Sequence, residues 1–405
     1  MKRPLLLSSS CFVLSFSALL GACSSSPSSR PLGHFEDTNA TPMKEYEYAQ
    51  VAIAEHEPSM GVVMSLAMFT EHHLEDLAVT ALNAHIDTLW IVVPKDYSQS
   101  QGELDLASLY QKSPLARQKV VLIKPQVEGK LREWARDWAP LTARTKEGKR
   151  RLLDFNYYSD RPADDSIPRS LAQVTGLERV SVPVYNEGGN FMNNNQGDCL
   201  MTDRVVKAND AKELEEDQIY SKEQIEEFYS KFAGCKRTII FESMPFEGTQ
   251  HIDLWAKFLD DKTVIVNEIR DELLPLTTYQ SEAREKTKKV KDYLDARAKE
   301  IENLGFRVVR VPMPLPWFGP EFNLFRSYTN SLIVNGVVAI PQYEKPTMAE
   351  DGVNGQYVDQ QFLKGYEKEI IKTHQDFNLK VSMIPSDQLI AKGGAIHCTT
   401  MQIAR

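Results

Sequence analysis

The chain has 405 residues, of which 42% are hydrophobic, 25% charged and 9% aromatic. This composition excludes a disordered, collagen-like or coiled-coil chain and predicts one or two domains with a full-sized core. The formal net charge of −9 argues against a nucleic-acid partner, because phosphate binding needs a positive field. Five cysteines are present, and none belongs to a CxxC pair, so a zinc ribbon is not predicted.

The N-terminus has the layout of a lipoprotein signal peptide. Lys2 and Arg3 precede an apolar stretch that is too short to span a bilayer stably. The run Leu20-Gly21-Ala22-Cys23 is similar to a bacterial lipobox. We therefore expect residues 1–22 to be cleaved, Cys23 to carry the lipid, and the polar residues 23–42 to form a tether. Ser24 after the cysteine indicates sorting to the outer membrane of a Gram-negative cell envelope, on its periplasmic or surface face.

Beyond the tether, one pattern recurs five times, which indicates an internally repeated fold. In each unit a polar, often Gly-rich turn leads into a strand, a tight turn and a second strand. The units begin near Trp134, Glu187, His251, Tyr328 and Gly393, and the last one ends the chain. Asn335-Gly336 turns the fourth unit and is a strong hairpin signal.

Helical patterns lie between these hairpins. A capping box at Ser221-Lys222-Glu223-Gln224 begins a helix that Gly234 ends, and further helices are expected over residues 281–304, near 362–370 and from Leu74 to Ala84. The alternation predicts a single closed α/β domain of five strand-pair-plus-helix units over residues 43–405. GxGxxG and GxxxxGK[ST] do not occur, so a nucleotide-binding fold is not predicted.

Five landmark motifs, in this order along the chain, resemble the Porphyromonas-type peptidylarginine deiminase and agmatine deiminase family over roughly residues 48–405. The motifs are Trp134-Ala135-Arg136-Asp137, Glu187-Gly188-Gly189-Asn190-Phe191, His251-Ile252-Asp253, Asn335-Gly336-Val337-Val338 and Gly393-Gly394 followed by His397-Cys398. The resemblance implies the five-bladed, pseudo-fivefold α/β propeller (pentein fold) of the guanidine-modifying superfamily. That fold agrees with the five units.

These motifs contain the residue types that hydrolysis of a guanidinium to a ureido group and ammonia requires. Cys398 would supply the thiolate and form a covalent amidino-thioether. His251 would protonate the leaving nitrogen and then activate water. Asp137 and Asp253 would hold the planar guanidinium through paired hydrogen bonds. A strand over residues 251–255 would place His251 and Asp253 on one face.

Four further residues are candidate substrate contacts. Two of them are turn asparagines, and each has two possible roles. Asn190 and Asn330 either line the central cavity or cap tight turns. Glu187 and Trp138 are further pocket candidates. The remaining histidines, His397 among them, are interpreted as surface or core groups, and without an HExxH-like spacing we expect no metal and no cofactor.

The substrate is less well specified by the sequence. Trp138-Ala139-Pro140 departs from the Thr-Gly-Pro usual in agmatine deiminases, and Arg161 matches one of two carboxylate-binding arginines of the peptidylarginine branch, although Ser159 replaces the other. Glu187 is an agmatine-branch trait that could hold an amine. An exported location favours peptidyl-arginine or arginine, that is, an arginine-containing peptide or a guanidino small molecule, with contact to the membrane through the lipid alone. The alternatives are an agmatine deiminase forming N-carbamoylputrescine and a non-catalytic surface binding lipoprotein.

The cysteines divide by expected fate. Cys11 leaves with the signal peptide, Cys23 carries lipid and Cys398 stays reduced. Cys199 and Cys235 either pair in an oxidising envelope or remain free buried thiols.

Overall fold

A computed structural model describes residues 50–210, 219–277, 281–319, 321–344 and 359–405. The expected signal peptide, Cys23 and the tether lie outside these described residues. Among the helices of the described part, none combines the length and apolar character needed to cross a membrane.

Short strands and helices alternate along the chain. The strands are β1 (Gln50–Ala52), β2 (Ser59–Ser65), β3 (Thr88–Val92), β4 (Val120–Ile123), β5 (Leu141–Thr145), β6 (Arg150–Asn156), β7 (Glu178–Tyr185), β8 (Met192–Asn193), β9 (Asp198–Thr202), β10 (Arg237–Phe241), β11 (Ala256–Phe258), β12 (Thr263–Glu268), β13 (Arg307–Pro312), β14 (Trp317–Phe318), β15 (Asn323–Leu324), β16 (Leu332–Val334), β17 (Val337–Gln342), β18 (Lys380–Pro385) and β19 (Met401–Ala404). The helices are α1 (Ala67–Thr70), α2 (Glu75–Asn83), α3 (Gln99–Asp105), α4 (Ala107–Lys112), α5 (Ala116–Lys119), α6 (Ala135–Trp138), α7 (Pro162–Asp165), α8 (Ile167–Thr175), α9 (Arg204–Asn209), α10 (Lys222–Phe228), α11 (Ser281–Asn303), α12 (Gln360–Gln375) and α13 (Asp387–Ile390).

Four sheets share one topology, an antiparallel hairpin followed by a parallel third strand. They are β8–β9–β10, β11–β12–β13, β16–β17–β18 and β5–β6–β7, the last with β1 added along β5. The hairpins of the first four predicted units are therefore confirmed. Residues of β12 are almost all buried, as expected of a central strand that is covered on both faces.

The fifth unit differs from its prediction. β19 does not form a hairpin within its own unit. It pairs instead antiparallel with β2, with Met401 opposite Val63, in the sheet β19–β2–β3–β4. The last blade is thus assembled from both ends of the described chain, and this pairing closes the ring of five.

The local signals at turns and helix ends are confirmed. Ser221 and Gln224 form the reciprocal capping box of α10, and Gly234, with a φ of 69°, ends the π-helical turn that extends it. Asn335 and Gly336 both have positive φ, 46° and 78°, as a two-residue hairpin turn of the Asn-Gly type requires. The helix expected over residues 281–304 is α11.

The segment before β11 is not the strand that the sequence predicted. Ile252–Leu254 forms a 3₁₀ turn, and the N–H of Trp255 donates to the carbonyl of Ile252 rather than to a neighbouring strand. Asn267 fixes this turn by donating from its side chain to the carbonyl of Leu254 at 3.0 Å. The corresponding turn of the second unit is also 3₁₀, over Gly188–Asn190, and the two turns pack against each other at the centre of the ring.

Cys199 and Cys235 form a disulfide, with Cα atoms 5.7 Å apart. This resolves the alternative that the sequence left open. The bond joins the start of β9 to the segment before β10, so it staples the parallel pair of the second sheet. Among the described residues, Cys398 is the free cysteine, and it is buried.

Candidate active site

Cys398 lies in the turn that precedes β19. Its Sγ accepts a hydrogen bond from Asn330 Nδ2 at 3.1 Å and lies 3.7 Å from Asp253 Oδ2. A Cβ on Gly394 would lie 2.7 Å from the Trp134 ring and 3.0 Å from this sulfur. Glycine at 394 is therefore required for the turn to bring the thiol this close to its neighbours.

Asn330 holds the nucleophile's turn as well as the nucleophile. Its Oδ1 accepts hydrogen bonds from the N–H groups of Ala395, His397 and Cys398, at 3.1, 3.1 and 3.3 Å. The Oδ1 of Asn330 thus caps the turn, whereas its Nδ2 contacts the Cys398 sulfur.

Asn190, by contrast, caps a turn and is not brought to the site. Its Oδ1 accepts from the N–H and hydroxyl of Thr202 at 3.0 and 2.8 Å, and its Nδ2 donates to the Thr202 carbonyl at 3.2 Å. Because the amide is fully buried and engaged with one residue, the candidate substrate contact at Asn190 is corrected to a structural one.

His251 stands at the start of its 3₁₀ turn between two carboxylates. Nε2 lies 3.0 Å from Glu187 Oε2, and Nδ1 lies 3.7 Å from Asp137 Oδ1. Burial alone would lower the pKa of His251, but Asp137 and Glu187 outweigh it and raise that pKa to about 10. The imidazole is therefore protonated at neutral pH and is equipped to act as an acid.

The two aspartates, Asp253 fully buried and Asp137 partly buried, differ in their electrostatics. Burial and the nearby Glu187 carboxylate raise the pKa of Asp137 to about 7, although His251 opposes the shift. Burial also acts to raise the pKa of Asp253, but a hydrogen bond and the charge of His397 outweigh it, and the pKa is lowered. Asp253 Oδ1 is buried and has no hydrogen-bond partner, so it is free to accept an N–H from a ligand.

Gly189 marks the point on which these groups converge. A Cβ at this position would lie 2.7 Å from His251 Nδ1, 3.0 Å from Asp137 Oδ1 and 3.1 Å from Asp253 Oδ2. Because residue 189 has no side chain, the imidazole and the two carboxylates can lie this close to the backbone and to one another. Together they provide one acid and two carboxylates, a set that suits a planar cation.

The same carboxylates act on the thiol. Burial, then the charges of Asp253 and Asp137, raise the pKa of Cys398 well above its usual value. The sulfur is therefore a protonated thiol at neutral pH unless a positive charge enters beside it.

Glu187 is at the site but is fully occupied. Its Oε1 accepts from the Tyr158 hydroxyl, and its Oε2 faces both Arg204 Nε at 2.9 Å and His251 Nε2 at 3.0 Å. These ties lower the pKa of Glu187 despite its burial. The carboxylate thus orients His251, and both of its oxygens are already engaged.

The side chains of Trp138 and Arg161 are engaged with other residues of the protein. Trp138 is buried in a hydrophobic cluster with Trp90, and its Nε1 donates to the Arg132 carbonyl at 3.3 Å. Arg161 donates to the Tyr157 hydroxyl at 3.0 Å, and its guanidinium lies over the Tyr158 ring, 4.7 Å from the ring centroid.

Two buried residues at the site, His397 and Arg136, were not among the predicted site residues. His397 Nδ1 lies 2.7 Å from Asp253 Oδ2, and His397 Nε2 lies 2.8 Å from Glu55 Oε2. These partners are 144 and 342 positions away in the chain, so no local pattern linked them. The one available signal was the position of His397 next to Cys398.

Arg136 secures the same turn from the first unit. Its backbone N–H donates to the Cys398 carbonyl at 3.0 Å, and its guanidinium donates to Gln402 Oε1 at 2.6 Å.

Within the described ranges, no group of three or more His, Cys, Asp or Glu side chains is arranged to hold a metal ion.

The profile of the Porphyromonas-type peptidyl-arginine deiminase family matches residues 54–404. The chain belongs to this family. Like the other members it is a hydrolase of guanidino C–N bonds on a mixed α/β pentein fold.

Known relatives and solved structures of this deiminase family are similar throughout most of the chain. A Vibrio parahaemolyticus protein named "Putative agmatine deiminase" is 24% identical over 301 residues, which are 67% of this chain and 75% of the relative. The agmatine deiminase of Enterococcus faecalis superposes with a TM-score of 0.66 at 17% identity, over 91% of this chain and 98% of that one. C. jejuni agmatine deiminase superposes with a TM-score of 0.65 at 18% identity, over 88% of this chain and 96% of that one.

Proposed function

We propose that this deiminase hydrolyses the guanidinium of arginine, free or within a peptide, to a ureido group and ammonia. The observation that carries the proposal is the grouping of His251, Asp137 and Asp253 around Gly189, with the Cys398 sulfur 3.7 Å from Asp253 Oδ2. A planar cation with several N–H donors fits two carboxylates better than any neutral group.

The bound guanidinium also activates the Cys398 thiol, the group that attacks it. Its positive charge offsets Asp137 and Asp253, the two carboxylates that raise the pKa of Cys398. Substrate binding therefore favours loss of the thiol proton to solvent, and the thiolate forms where the electrophilic carbon is held. Asn330 Nδ2, which already contacts the sulfur at 3.1 Å, remains a donor to the negative charge.

The reaction then proceeds in two halves. Cys398 Sγ attacks the guanidinium carbon, and His251 gives its proton to the departing nitrogen, which leaves as ammonia. The now neutral His251 takes a proton from water, and the resulting hydroxide attacks the amidino-thioether carbon. The C–S bond then breaks as the hydroxyl proton of the intermediate passes to the departing sulfur, which releases the ureido product and restores the Cys398 thiol. Glu187 and Asp137 hold the imidazole in place in both halves.

Engagement of Glu187 supports arginine over agmatine as the substrate. Both of its oxygens already face Tyr158, Arg204 and His251, so a substrate amine would have to compete with a guanidinium for them. Arg204 and Arg161 both contact Tyr158, and a guanidinium such as that of Arg161 suits an arginine carboxylate or a peptide carbonyl. Agmatine is the second candidate, because the similar proteins named above carry that activity in their names.

A substrate panel tests the proposal. The mature protein and Cys398→Ser are incubated with benzoyl-arginine amide, arginine and agmatine, and ammonia and ureido product are measured together. We expect equal amounts of both products, a higher kcat/KM on an arginine substrate than on agmatine, and no turnover by Cys398→Ser. Turnover of agmatine alone would transfer the proposal to the second candidate. Binding without turnover of any guanidine would support the non-catalytic lipoprotein instead.

We further propose that the enzyme is exported and held at the bacterial outer membrane by a lipid on Cys23. Leu20-Gly21-Ala22-Cys23 supports the lipid, and the Cys199–Cys235 disulfide is typical of an oxidising compartment. Cells fed labelled palmitate should label the wild-type protein in the membrane fraction and leave Cys23→Ala unlabelled. Equal labelling of both proteins, or of neither, would contradict the anchor.

A further inference from the structure

His397 lies between two carboxylates from distant parts of the chain. Its ring is buried, with Nδ1 2.7 Å from Asp253 Oδ2 and Nε2 2.8 Å from Glu55 Oε2. Neither ring nitrogen is left for a substrate. The side chain next to the nucleophile is thus committed to a link between Asp253 and Glu55.

Glu55 is itself fixed at the far end of this link. Its Oε2 accepts from Lys257 Nζ at 2.9 Å, and its Oε1 accepts from the N–H of Ile333 at 2.9 Å. The His397 end is fixed as well, because the backbone N–H of His397 donates to Asn330 Oδ1. The link therefore cannot swing without breaking contacts in several blades.

The link to His397 restricts the orientation of the Asp253 carboxylate. His397 occupies Oδ2, which leaves Oδ1 as the buried oxygen without a partner. A carboxylate without that tie could rotate about its terminal torsion and present either oxygen in any direction. The tie therefore fixes the orientation of the carboxylate relative to the nucleophile, since Oδ2 also lies 3.7 Å from Cys398 Sγ.

We propose that His397 and Glu55 are positioning residues of the reaction, and that the chain Glu55–His397–Asp253 aims the Asp253 carboxylate that holds the guanidinium against Cys398. This inference rests on the proposed function, since it requires a guanidinium substrate.

Two substitutions of His397 divide its contacts. In His397→Asn the side-chain amide is at the depth of Nδ1 and can still donate to Asp253, whereas in His397→Gln it is at the depth of Nε2 and reaches Glu55 instead. We expect His397→Gln to raise KM and lower kcat/KM by about ten- to a hundredfold, the effect of losing one hydrogen bond to a charged group. The KM of His397→Asn should stay close to that of the wild type.

The pH dependence of kcat/KM distinguishes a positioning role of His397 from a packing role, because loss of packing alone would not shift it. His397 lowers the pKa of Asp253 against the effect of burial, so removing its donor raises that pKa, and the carboxylate then forms only at higher pH. The acid limb of kcat/KM should shift to higher pH in both variants, which lose the His397 charge, and should shift farther in His397→Gln, which also loses the hydrogen bond to Asp253. The other charged or titratable groups around Asp253 are unchanged in both variants, namely His251, Lys257, Arg136, Asp137 and Cys398.

A second measurement avoids substitution of His397. In ¹⁵N-histidine-labelled Cys398→Ser protein, the His397 Nδ1 proton should exchange slowly, and its resonance should shift when a guanidine that the wild type turns over is added. Equal impairment of the Asn and Gln variants, an unchanged KM and acid limb in His397→Gln, or an unmoved resonance would overturn the positioning role. Failure of the wild type to turn over any guanidine would instead overturn the proposed function, and this inference with it.

Discussion

Gly189 carries a strict steric requirement at the site. An added methyl group would be 2.7 Å from His251 Nδ1 and 3.0 Å from Asp137 Oδ1, closer than such contacts allow. Gly189→Ala should lower kcat/KM by about 100-fold or more, since a displacement of roughly 1 Å at a reacting centre has that effect. Gly365→Ala is the matched control, because a Cβ there has no atom within 4 Å, and it should keep full activity. Normal kinetics in Gly189→Ala would contradict the assigned site.

The thiol of Cys398 gives a second prediction at this scale. Burial and the charges of Asp253 and Asp137 raise its pKa, so little thiolate is present at neutral pH without substrate. Alkylation by iodoacetamide should be slow at pH 7 and rise with a midpoint above the ordinary thiol pKa of about 8.5. Asp253→Asn should move that midpoint down. A midpoint near or below pH 7 in the free enzyme would be incompatible with activation by the substrate.

Single residues also show where sequence reasoning reaches its limit. Asn190 and Asn330 occupy equivalent places in their units, yet one is engaged with Thr202 and the other with the Cys398 turn. The local sequence predicted a turn asparagine in both cases, and the partner across the ring decides its role. His397 was interpreted as an ordinary histidine for the same reason, because its partners come from elsewhere in the chain.

At the scale of elements, the hairpins and helices were predictable because their signals are local. The capping box of α10, the Asn-Gly turn between β16 and β17, and the apolar stripe of α11 each specify an element within a few residues. The segment around His251 was predicted wrongly as a strand. Its apolar composition suits a strand, but Asn267 of β12 binds the Leu254 carbonyl and stabilises a 3₁₀ turn.

The disulfide supports one element pair and should affect stability without affecting chemistry. Cys199 and Cys235 are 36 positions apart, and closing a loop of this length corresponds to about 3–4 kcal/mol in the chain-entropy account. The double variant Cys199→Ala/Cys235→Ala should unfold at lower urea by about that free energy while its kcat stays within about twofold of wild type. Wild-type protein with dithiothreitol is the control. Loss of kcat in the folded double variant would show that β9 and β10 reach the site.

For the whole molecule, ring closure by β19 is the decisive contact. The five units were visible in the sequence, but the strand that completes the fifth blade was not, since β2 and β19 lie at opposite ends of the described chain. Nothing local to Met401–Ala404 indicates which strand it will meet. The order of the motifs nevertheless predicted that five turns meet around one site.

Removal of Met401–Arg405 tests this closure while leaving Cys398 in place. The truncated chain loses the antiparallel partner of β2, the buried Ile403, and the Gln402 acceptor of Arg136. We expect a lower thermal midpoint and loss of turnover. Full-length Cys398→Ser, which is inactive for a different reason, should unfold like the wild type. A truncated enzyme with the wild-type midpoint would show that the ring does not depend on β19.

We infer that Cys398 attacks the guanidinium carbon and carries a covalent intermediate. Intact-protein mass spectrometry of enzyme quenched in acid during turnover of an arginine substrate detects such an intermediate. We expect an adduct equal to the substrate less ammonia, located on the peptide that contains Cys398 and absent from Cys398→Ser. Turnover without any adduct on that peptide, or an adduct that persists in Cys398→Ser, would contradict it.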